Sequence, residues 1–303
     1  MLSLIQAYFL FMTTKPSREI NFCTGDGEMA ERMRSHDWQS TSLGTPSSWP
    51  ESLQLVLGIC FDSHFPIAVW WGPDLIQFYN DGYRPILGAT KHPHALGRPA
   101  RETWPEIWPT IGTMVEQVMT KGEAVKGDDM PLVLNRNGYA ETCHFTFSYS
   151  PIHDTFGAVV GMFTAAVETT ARVAAERRQA FQLALADHLR ELGDPDEITS
   201  AATELLGQYL NVSRTYYAEI DDVTSTFHVP ARWIAASDLP DLPATGRVDD
   251  FSPSLLKTLR AGQPFAVDDI AVDERMALYV QQYAALNIRS IVVVPLVRAA
   301  LNK

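Results

Sequence analysis

A group of aromatic and polar side chains in the first half of the chain has the residue types of a small-molecule site. Large rings supply flat apolar walls, and a few amide, hydroxyl or imidazole groups among them orient a bound ligand. The candidate ligand-binding residues are Trp70, Tyr79, Asn80, Tyr83, Trp104, Trp108 and His144. The same rings are also what a protein core or interface contains, so a ligand pocket and a plain aromatic core are both open interpretations.

Residue patterns that carry catalysis are missing from this sequence. It has no Gly-x-Ser-x-Gly elbow, no phosphate-binding glycine-rich loop and no His-Glu-x-x-His zinc motif. The acidic pairs Asp128-Asp129, Asp221-Asp222 and Asp249-Asp250 flank predicted turns, where solvation explains them better than acid–base catalysis. We therefore predict no catalytic residue in this chain.

The histidines and cysteines of this sequence do not form a pattern typical of a metal or haem site. Cys23, Cys60 and Cys143 form no Cys-x-x-Cys pair, which argues against a disulfide framework or a structural zinc. A haem needs an axial ligand, and the candidates are His92 and His94. A proline between these two histidines indicates an ordinary turn. We predict no metal site, and the sequence leaves the cofactor unknown.

Charge and hydropathy limit the partners and the compartment. The net charge is −12 and the isoelectric point about 5.1, and the densest basic group is Arg177-Arg178, so we predict no nucleic-acid binding. No apolar run reaches the ~18 residues of a membrane helix. Residues 2–12 are apolar but lack the positive start of a signal peptide. We expect a reduced cytoplasmic protein whose translation starts at Met12 rather than Met1, with both starts left open.

The candidate residues need a scaffold, and the first unit is predicted to be a sheet with a lead-in helix over residues 51–60. Strands are predicted at residues 66–71, 75–79, 130–134, 141–150 and 158–167, and a further helix at 110–120. In the strand 141–150, every second residue is apolar: Cys143, Phe145, Phe147 and Tyr149. This period of two predicts that the four side chains share one buried face. We expect residues 50–167 to form one five-stranded antiparallel sheet with helices on one face.

A helical pattern follows the last of these strands. From residue 167 to residue 192 the sequence has an imperfect heptad repeat with Val167, Ala174, Phe181 and His188 in one seam and Ala171, Arg178, Leu185 and Leu192 in the other. Arg and His are poor seam residues. One interpretation is a plain amphipathic linker; the other is a parallel dimerisation helix that carries a signal onward.

The second half mixes short helices and strands. Helical spacing is predicted at residues 198–210, 255–261 and 279–286, and strand-like runs at 214–220, 226–229 and 264–267. The last run, residues 288–297, reads as a fully buried strand because Ile291 to Val294 are all apolar.

Taken together, the first half resembles a PAS domain. The residues that carry this likeness are 66–71, 78–81, Ser150-Pro151, Asp154, Gly157 and 167–169. The second half resembles a GAF domain, on the opening helix, residues 267–270 with Asp273 and Arg275, and Ile288-Arg289-Ser290 entering residues 292–296. GAF domains normally continue with another strand and a closing helix, so the resemblance implies an incomplete GAF unit. The fold class implied is α+β, with an N-terminus (1–45) that is disordered or extended, a PAS domain (46–169), a linker helix (170–194) and a GAF domain (195–303). Within the N-terminus, residues 29–33 are compatible with one or two helical turns.

This order of units resembles the sensory input region of bacterial sensor histidine kinases. The resemblance implies a signal-sensing input module of a two-component phosphorelay protein, with a small-molecule ligand or partner. It also implies a homodimer through the PAS unit and linker helix, and a downstream kinase core or response regulator. The alternative is a stand-alone PAS-GAF binding and dimerisation scaffold. Covalent flavin in PAS domains uses an Asn-Cys-Arg-Phe stretch, which is absent here, and the second half has no cysteine for a thioether-linked bilin.

Overall fold

A five-stranded antiparallel sheet is the centre of the first of two units, which divide between Glu176 and Arg177. The computed structural model describes residues 22–221 and 223–296. The strands are β1 (Ile67–Trp71), β2 (Ile76–Tyr79), β3 (Val125–Leu134), β4 (Glu141–His153) and β5 (Val159–Glu168). Their order across the sheet is β2-β1-β5-β4-β3, and every neighbouring pair is antiparallel. The predicted five-stranded antiparallel sheet is confirmed.

The period of two in β4 sets the two faces of this sheet. Cys143, Phe145, Phe147 and Tyr149 are all buried, as their alternation predicted. Phe147 lies opposite Ala166 and Tyr149 opposite Thr164, so the two strands present their buried side chains to the same side. A slip of one residue would move the whole set to the other face, which is why the pattern fixes the register.

Helices cover both faces of the sheet, whereas the sequence predicted helices on one face only. One face carries α3 (Arg84–Lys91), α4 (Ala100–Thr103) and α5 (Trp108–Lys121). The other face, at β1 and β2, is covered by a segment that contains α1 (Glu28–Ser35) and α2 (Glu51–Asp62). There the ring of Phe78 is stacked on Trp38 with centroids 5.0 Å apart and meets Trp49 edge-on at 5.5 Å. All nine residues of β1 and β2 are buried, which requires cover on both sides.

The predicted disordered or extended N-terminus is wrong for residues 22–45. Met29, Met33 and Trp38 are at most 2% exposed and belong to the core of the first unit. The backbone N–H of Met29 also donates to the carboxylate of Asp81, 3.3 Å away. The one or two helical turns suggested at residues 29–33 belong to a short amphipathic helix, and the polar composition of the stretch gave no sign that its two methionines face inward. Residues 1–21, with both candidate start methionines, lie outside the described residues.

The linker is a single helix, α6 (Thr170–Arg190), with no buried residue. Val167, predicted as its first seam residue, belongs to β5 instead, so the helix starts three residues later than the heptad pattern suggested. Within the second unit, the ring of Phe181 stacks on that of Tyr209, with centroids 4.2 Å apart. One predicted seam residue therefore has a partner inside its own chain.

The second unit is an α+β assembly of short elements. The helices are α7 (Pro195–Leu210), α8 (Pro253–Arg260) and α9 (Val280–Ala285), and the strands are β6 (Arg214–Asp221), β7 (Thr226–Ile234), β8 (Thr245–Arg247), β9 (Phe265–Val267) and β10 (Ile291–Val293). In the described part of the chain, β6, β7 and β8 form one antiparallel sheet, and β9 pairs with β10. Phe227, Phe265, Met276 and Tyr283 are the largest of its core residues.

The last strand differs from the prediction of a fully buried strand. β10 has three residues, and Val292 is 71% exposed. Within the described ranges, β10 pairs only with β9, so alternate side chains face away from the core. Residues 297–303 lie outside the described residues. No helix in the described ranges is long and apolar enough to cross a membrane.

Candidate functional site

The candidate site is a small cavity between the sheet and α3–α5 of the first unit. Its volume is about 30 Å³, roughly the space that one water occupies in the liquid. The walls are aromatic and aliphatic, and they include Trp70, Tyr83, Trp104, Phe145, Phe147, Tyr149 and Thr164. No charged side chain lines the cavity in the described part of the chain. Ligand pockets for drug-sized molecules hold roughly 300–1,000 Å³, so these rings fill most of the space themselves.

Three of the seven predicted ligand-binding residues line the cavity: Trp70, Tyr83 and Trp104. Trp108 lies just beyond the wall, with its ring centroid 6.0 Å from that of Trp70. Trp70 comes from β1, whereas Trp104 and Trp108 come from the end of α4 and the start of α5. The sheet and the helices therefore meet through indole rings at this point.

Tyr79 lies outside the cavity wall, although its ring is 6.4 Å from that of Tyr83. Its hydroxyl lies 3.0 Å from Nδ1 of His92, and Nε2 of His92 lies 3.0 Å from a carboxylate oxygen of Glu28. This chain of contacts joins β2 to α1. Burial raises the pKa of the Tyr79 phenol, which keeps it protonated at neutral pH.

Asn80 has a structural position rather than a place in the cavity. Its side-chain oxygen accepts hydrogen bonds from the backbone N–H groups of Ile67 and Tyr83, at 3.0 and 3.1 Å. Its side-chain nitrogen donates to the carbonyls of Cys60, Ser63 and Phe65. Asn80 thus fixes the end of α2 to the start of β1 and to the turn before α3.

His144 lies on the opposite face of the sheet from the cavity. Its neighbours Cys143 and Phe145 point to the face that carries α3–α5, so the alternation of β4 turns His144 away from that face. Its backbone N–H donates to Oγ1 of Thr170, 2.9 Å away, and its carbonyl accepts from the backbone N–H of Thr169 at 2.7 Å. The grouping of all seven residues in one pocket is corrected accordingly.

Sequence reasoning missed Gln77, which is fully buried next to the cavity wall. Its side-chain oxygen accepts hydrogen bonds from Nε1 of Trp70 at 3.0 Å and from Nε1 of Trp104 at 2.9 Å. Its side-chain nitrogen has no hydrogen-bond partner in the described part of the chain. An amide in the middle of the apolar run Ile76–Tyr79 was the available signal.

Two tyrosines bring polar groups to the cavity itself. Tyr83 and Tyr149 are each 6% exposed, and neither hydroxyl has a hydrogen-bond partner among the residues described. Burial raises the pKa of Tyr83, and burial followed by the neighbouring Tyr83 raises that of Tyr149. Both phenols are therefore protonated donors at neutral pH.

A second feature is the ion-pair cluster at the point where the sheet ends and α6 begins. The guanidinium of Arg136 binds the carboxylate of Glu168 through two hydrogen bonds of 2.7 and 2.9 Å. It also donates to Glu141 at 3.0 Å and to the carbonyl of Pro85 at 3.1 Å. The side chain of Arg136 is only 10% exposed. Its hydrogen bonds hold the pKa of Glu168 below the usual carboxyl value.

The first turn of α6 is fastened to the sheet by further contacts. Thr170 donates from Oγ1 to Glu168 at 2.9 Å while accepting the N–H of His144. Arg172 forms an ion pair with Asp129, which lies at a bulge in β3 with φ of 48°. Within the first unit, strand exit and helix start therefore form one connected group of charged and polar side chains.

The cysteines of α2 and β4 and the histidine after α3 lie outside the cavity wall. Cys60 lies on α2 and Cys143 on β4, and neither lines the cavity wall. Burial raises the pKa of Cys143 to about 11, which keeps it a thiol. His92 is engaged with Tyr79 and Glu28. In the described ranges, no three His, Cys, Asp or Glu side chains lie close enough to hold a metal ion.

Comparison with known families accounts for both units. A family model described as "PAS fold" matches residues 62–174, and one described as "GAF domain" matches residues 194–300. No curated protein matches the chain.

The solved structures that match this chain are distant from it. The phycocyanobilin-bound GAF domain of a cyanobacterial phytochrome is 19% identical with a TM-score of 0.34, over 39% of this chain and 72% of that one. The PAS domain of Bordetella pertussis BvgS is 19% identical with a TM-score of 0.34, over 43% and 95%. The chromophore-binding domain of Stigmatella aurantiaca bacteriophytochrome is 13% identical with a TM-score of 0.32, over 76% and 80%. On the two family matches and the observed sheet, the chain contains a PAS domain followed by a GAF domain.

Proposed function

We propose that this chain is the signal-sensing input module of a histidine kinase of the two-component type. In this proposal the PAS unit senses a small ligand or partner and α6 passes the signal on. The observation that carries the proposal is the position of Arg136, which contacts both the helical side of the cavity and the strand that leads into α6.

The proposed route has three contacts. Ile86 of α3 lines the cavity, and the carbonyl of its neighbour Pro85 accepts a hydrogen bond from Arg136. Arg136 holds Glu168 at the end of β5, and Glu168 accepts from Thr170 in the first turn of α6. A displacement of α3 would therefore change the contacts that fix the start of the linker. Coupling between two sites requires an element with two arrangements, and in this proposal the Arg136 contacts are that element.

A homodimer through the PAS unit and α6 is part of the proposal. A helix of 21 residues without a single buried residue gains little from its own chain, and association with a second copy would cover its apolar positions. The stacking of Phe181 on Tyr209 favours the plain-linker alternative at that position. Sedimentation of the full chain at tens of micromolar, roughly the range of weak coiled coils, decides between them.

The second candidate function is a stand-alone binding scaffold without kinase activity. The sequence features that carry ligand sensing are common to both candidates. A reading frame that continues into an ATP-binding kinase core supports the first. A partner kinase or response regulator that copurifies with the chain also supports the histidine-kinase system.

The coupling itself can be tested without knowing the ligand. Ile111→Trp adds volume on the α5 wall of the cavity, and amide hydrogen exchange of residues 169–180 reports on the start of α6. We expect faster exchange there in Ile111→Trp, and a much smaller further change when Arg136→Met is already present. Ile59→Trp, at a position that is 63% exposed on α2, is the matched control and should leave this exchange unchanged. Equal effects of Ile111→Trp in both backgrounds would contradict the proposed route.

A further inference from the structure

The cavity of the PAS unit is lined by hydrogen-bond donors but by no charged side chain in the described part of the chain. This lining favours one class of ligand. Tyr83 and Tyr149 both line it, and their hydroxyls find no hydrogen-bond partner in the described ranges. Neither oxygen is among the fully enclosed side-chain atoms without a partner, so each has accessible surface, and both residues line the cavity. Two unpaired phenols that border one small cavity therefore point to a group that is bound between them.

The protonation state of the two phenols sets the polarity of that group. Burial raises the pKa of both tyrosines, so at neutral pH each carries a proton that it can donate. Each phenol oxygen can also accept a hydrogen bond, but a single ligand atom receives a bond from both phenols only if it is an acceptor, such as a carbonyl, ether or hydroxyl oxygen.

The tryptophans on the same wall do not compete for that acceptor. Nε1 of Trp70 and Nε1 of Trp104 both donate to the side-chain oxygen of Gln77. The indole rings are thereby fixed and offer only their apolar faces to the cavity.

The remaining walls exclude charged ligands. Besides the tyrosines and Thr164, the lining is aromatic and aliphatic, with Ile86, Ile107 and Leu132 among it and no Arg, Lys, His, Asp or Glu in the described part of the chain. Oγ1 of Thr164 donates to the carbonyl of Ser148, 3.2 Å away. A carboxylate, phosphate or ammonium ion would lose its hydration here and gain no counter-charge.

We propose that the PAS cavity binds an uncharged, mostly apolar small molecule through one acceptor atom that Tyr83 and Tyr149 contact. This inference rests on the proposed sensing function and names the class of its ligand. The cavity of about 30 Å³ holds no more than a water-sized group, so a larger member of the class enters with an outward shift of the helical wall. That shift supplies the displacement of α3 on which the proposed route depends.

The test uses the full chain and three probes that differ in one property. Acetophenone is uncharged and carries a carbonyl acceptor, ethylbenzene has the same skeleton without the acceptor, and benzoate is charged. Binding is measured by saturation-transfer NMR titration. We expect acetophenone to bind about fivefold to tenfold more tightly than ethylbenzene, the effect of one net hydrogen bond. Benzoate should show no binding.

Variants assign the difference to the two hydroxyls. In the Tyr83→Phe, Tyr149→Phe double variant, acetophenone should weaken to the affinity of ethylbenzene, while ethylbenzene stays unchanged. Tyr139→Phe, at a residue that is 61% exposed, is the matched control. Near-ultraviolet circular dichroism verifies that the double variant keeps its packing, and the two single variants replace it if it does not.

Three results overturn the inference: binding of none of the probes at millimolar concentration, binding of benzoate as tight as that of acetophenone, or an unchanged acetophenone affinity in the variants. These failures are distinguishable from failure of the sensing proposal. The exchange experiment with Ile111→Trp and Arg136→Met uses no ligand, so its outcome stands whichever probe binds.

Discussion

Arg136→Met is the change that tests most directly how the PAS sheet holds the start of α6. Methionine keeps an apolar stem of similar length and removes the guanidinium. The variant loses the two hydrogen bonds to Glu168, one to Glu141 and one to the carbonyl of Pro85. It also leaves the carboxylate of Glu168 without its cation, in a side chain that is 29% exposed.

The expected cost follows from this burial. Removing one partner of a buried ion pair costs about 3–5 kcal/mol, because the other charge remains desolvated. Glu168 keeps part of its hydration, so we expect the lower end of this range, about 3 kcal/mol. With a urea m-value of about 2 kcal/mol/M for a domain of this size, the unfolding midpoint should fall by about 1.5 M.

Tryptophan fluorescence is the appropriate assay, because six of the seven tryptophans belong to the first unit and only Trp233 to the second. Arg172→Met is the matched control: it removes an arginine of the same cluster whose side chain is 49% exposed. Exposed pairs contribute little, so this midpoint should stay where it is. If Arg136→Met shifts the midpoint no more than Arg172→Met does, the cluster does not fasten β5 and α6, and the reasoning fails.

Three further predictions concern other contacts. Arg136 lowers the pKa of Glu168 in the folded state, so the ion pair contributes its full stabilisation above the ordinary carboxyl pKa of about 4.3. This stabilisation is lost as the pH falls through the lower pKa of the folded state. In Glu168→Gln the free energy of unfolding should therefore depend less steeply on pH in the acid range. Gly88 has φ of 63° and ψ of −170°, and a Cβ there would meet the backbone of Arg136, so Gly88→Ala should destabilise the first unit by about 3 kcal/mol in the same urea assay. Phe181→Ala removes the ring stacked on Tyr209 and should speed amide exchange in α7, because the free energy of opening there falls by about 1 kcal/mol. Unchanged exchange would mean that the stack is not a stable contact.

The sheet of the first unit could be predicted from the sequence because apolar and polar residues alternate along β4. The alternation of Cys143, Phe145, Phe147 and Tyr149 fixed a face and a register at once. For the N-terminal segment, the sequence suggested a helical turn or two but not its burial, because Met29 and Met33 stand among charged residues and only their tertiary contacts make the segment part of the core. Propensity is a weak guide where packing decides.

For the candidate site too, some residues could be predicted from the sequence and others could not. Trp70 and Trp104 were identified because large rings in a small unit must pack somewhere. Gln77 and Arg136 were missed, because a glutamine in a strand and an arginine beside an Asn-Gly turn usually face water. Their roles come from pairings across the fold: Gln77 with two indoles, and Arg136 with Glu168, 32 positions further along the chain. His144 was misassigned because its residue type suggested a ligand contact, whereas the alternation of β4 places it on the face opposite to the cavity.

The length of α6 determines how far its end would move if the contacts at its first turn rearranged. The helix has 21 residues and no buried side chain, and at 1.5 Å per residue it is about 31 Å long. Under the proposed function, a rigid rod of this length that pivots at Glu168 would act as a lever. A tilt of about 10° at the pivot would carry the tip near Arg190 sideways by about 5 Å, close to the pitch of one helical turn. Under the same proposal, a small rearrangement at the Arg136 cluster would thus become, at the far end of α6, a displacement as long as a change of register between packed helices.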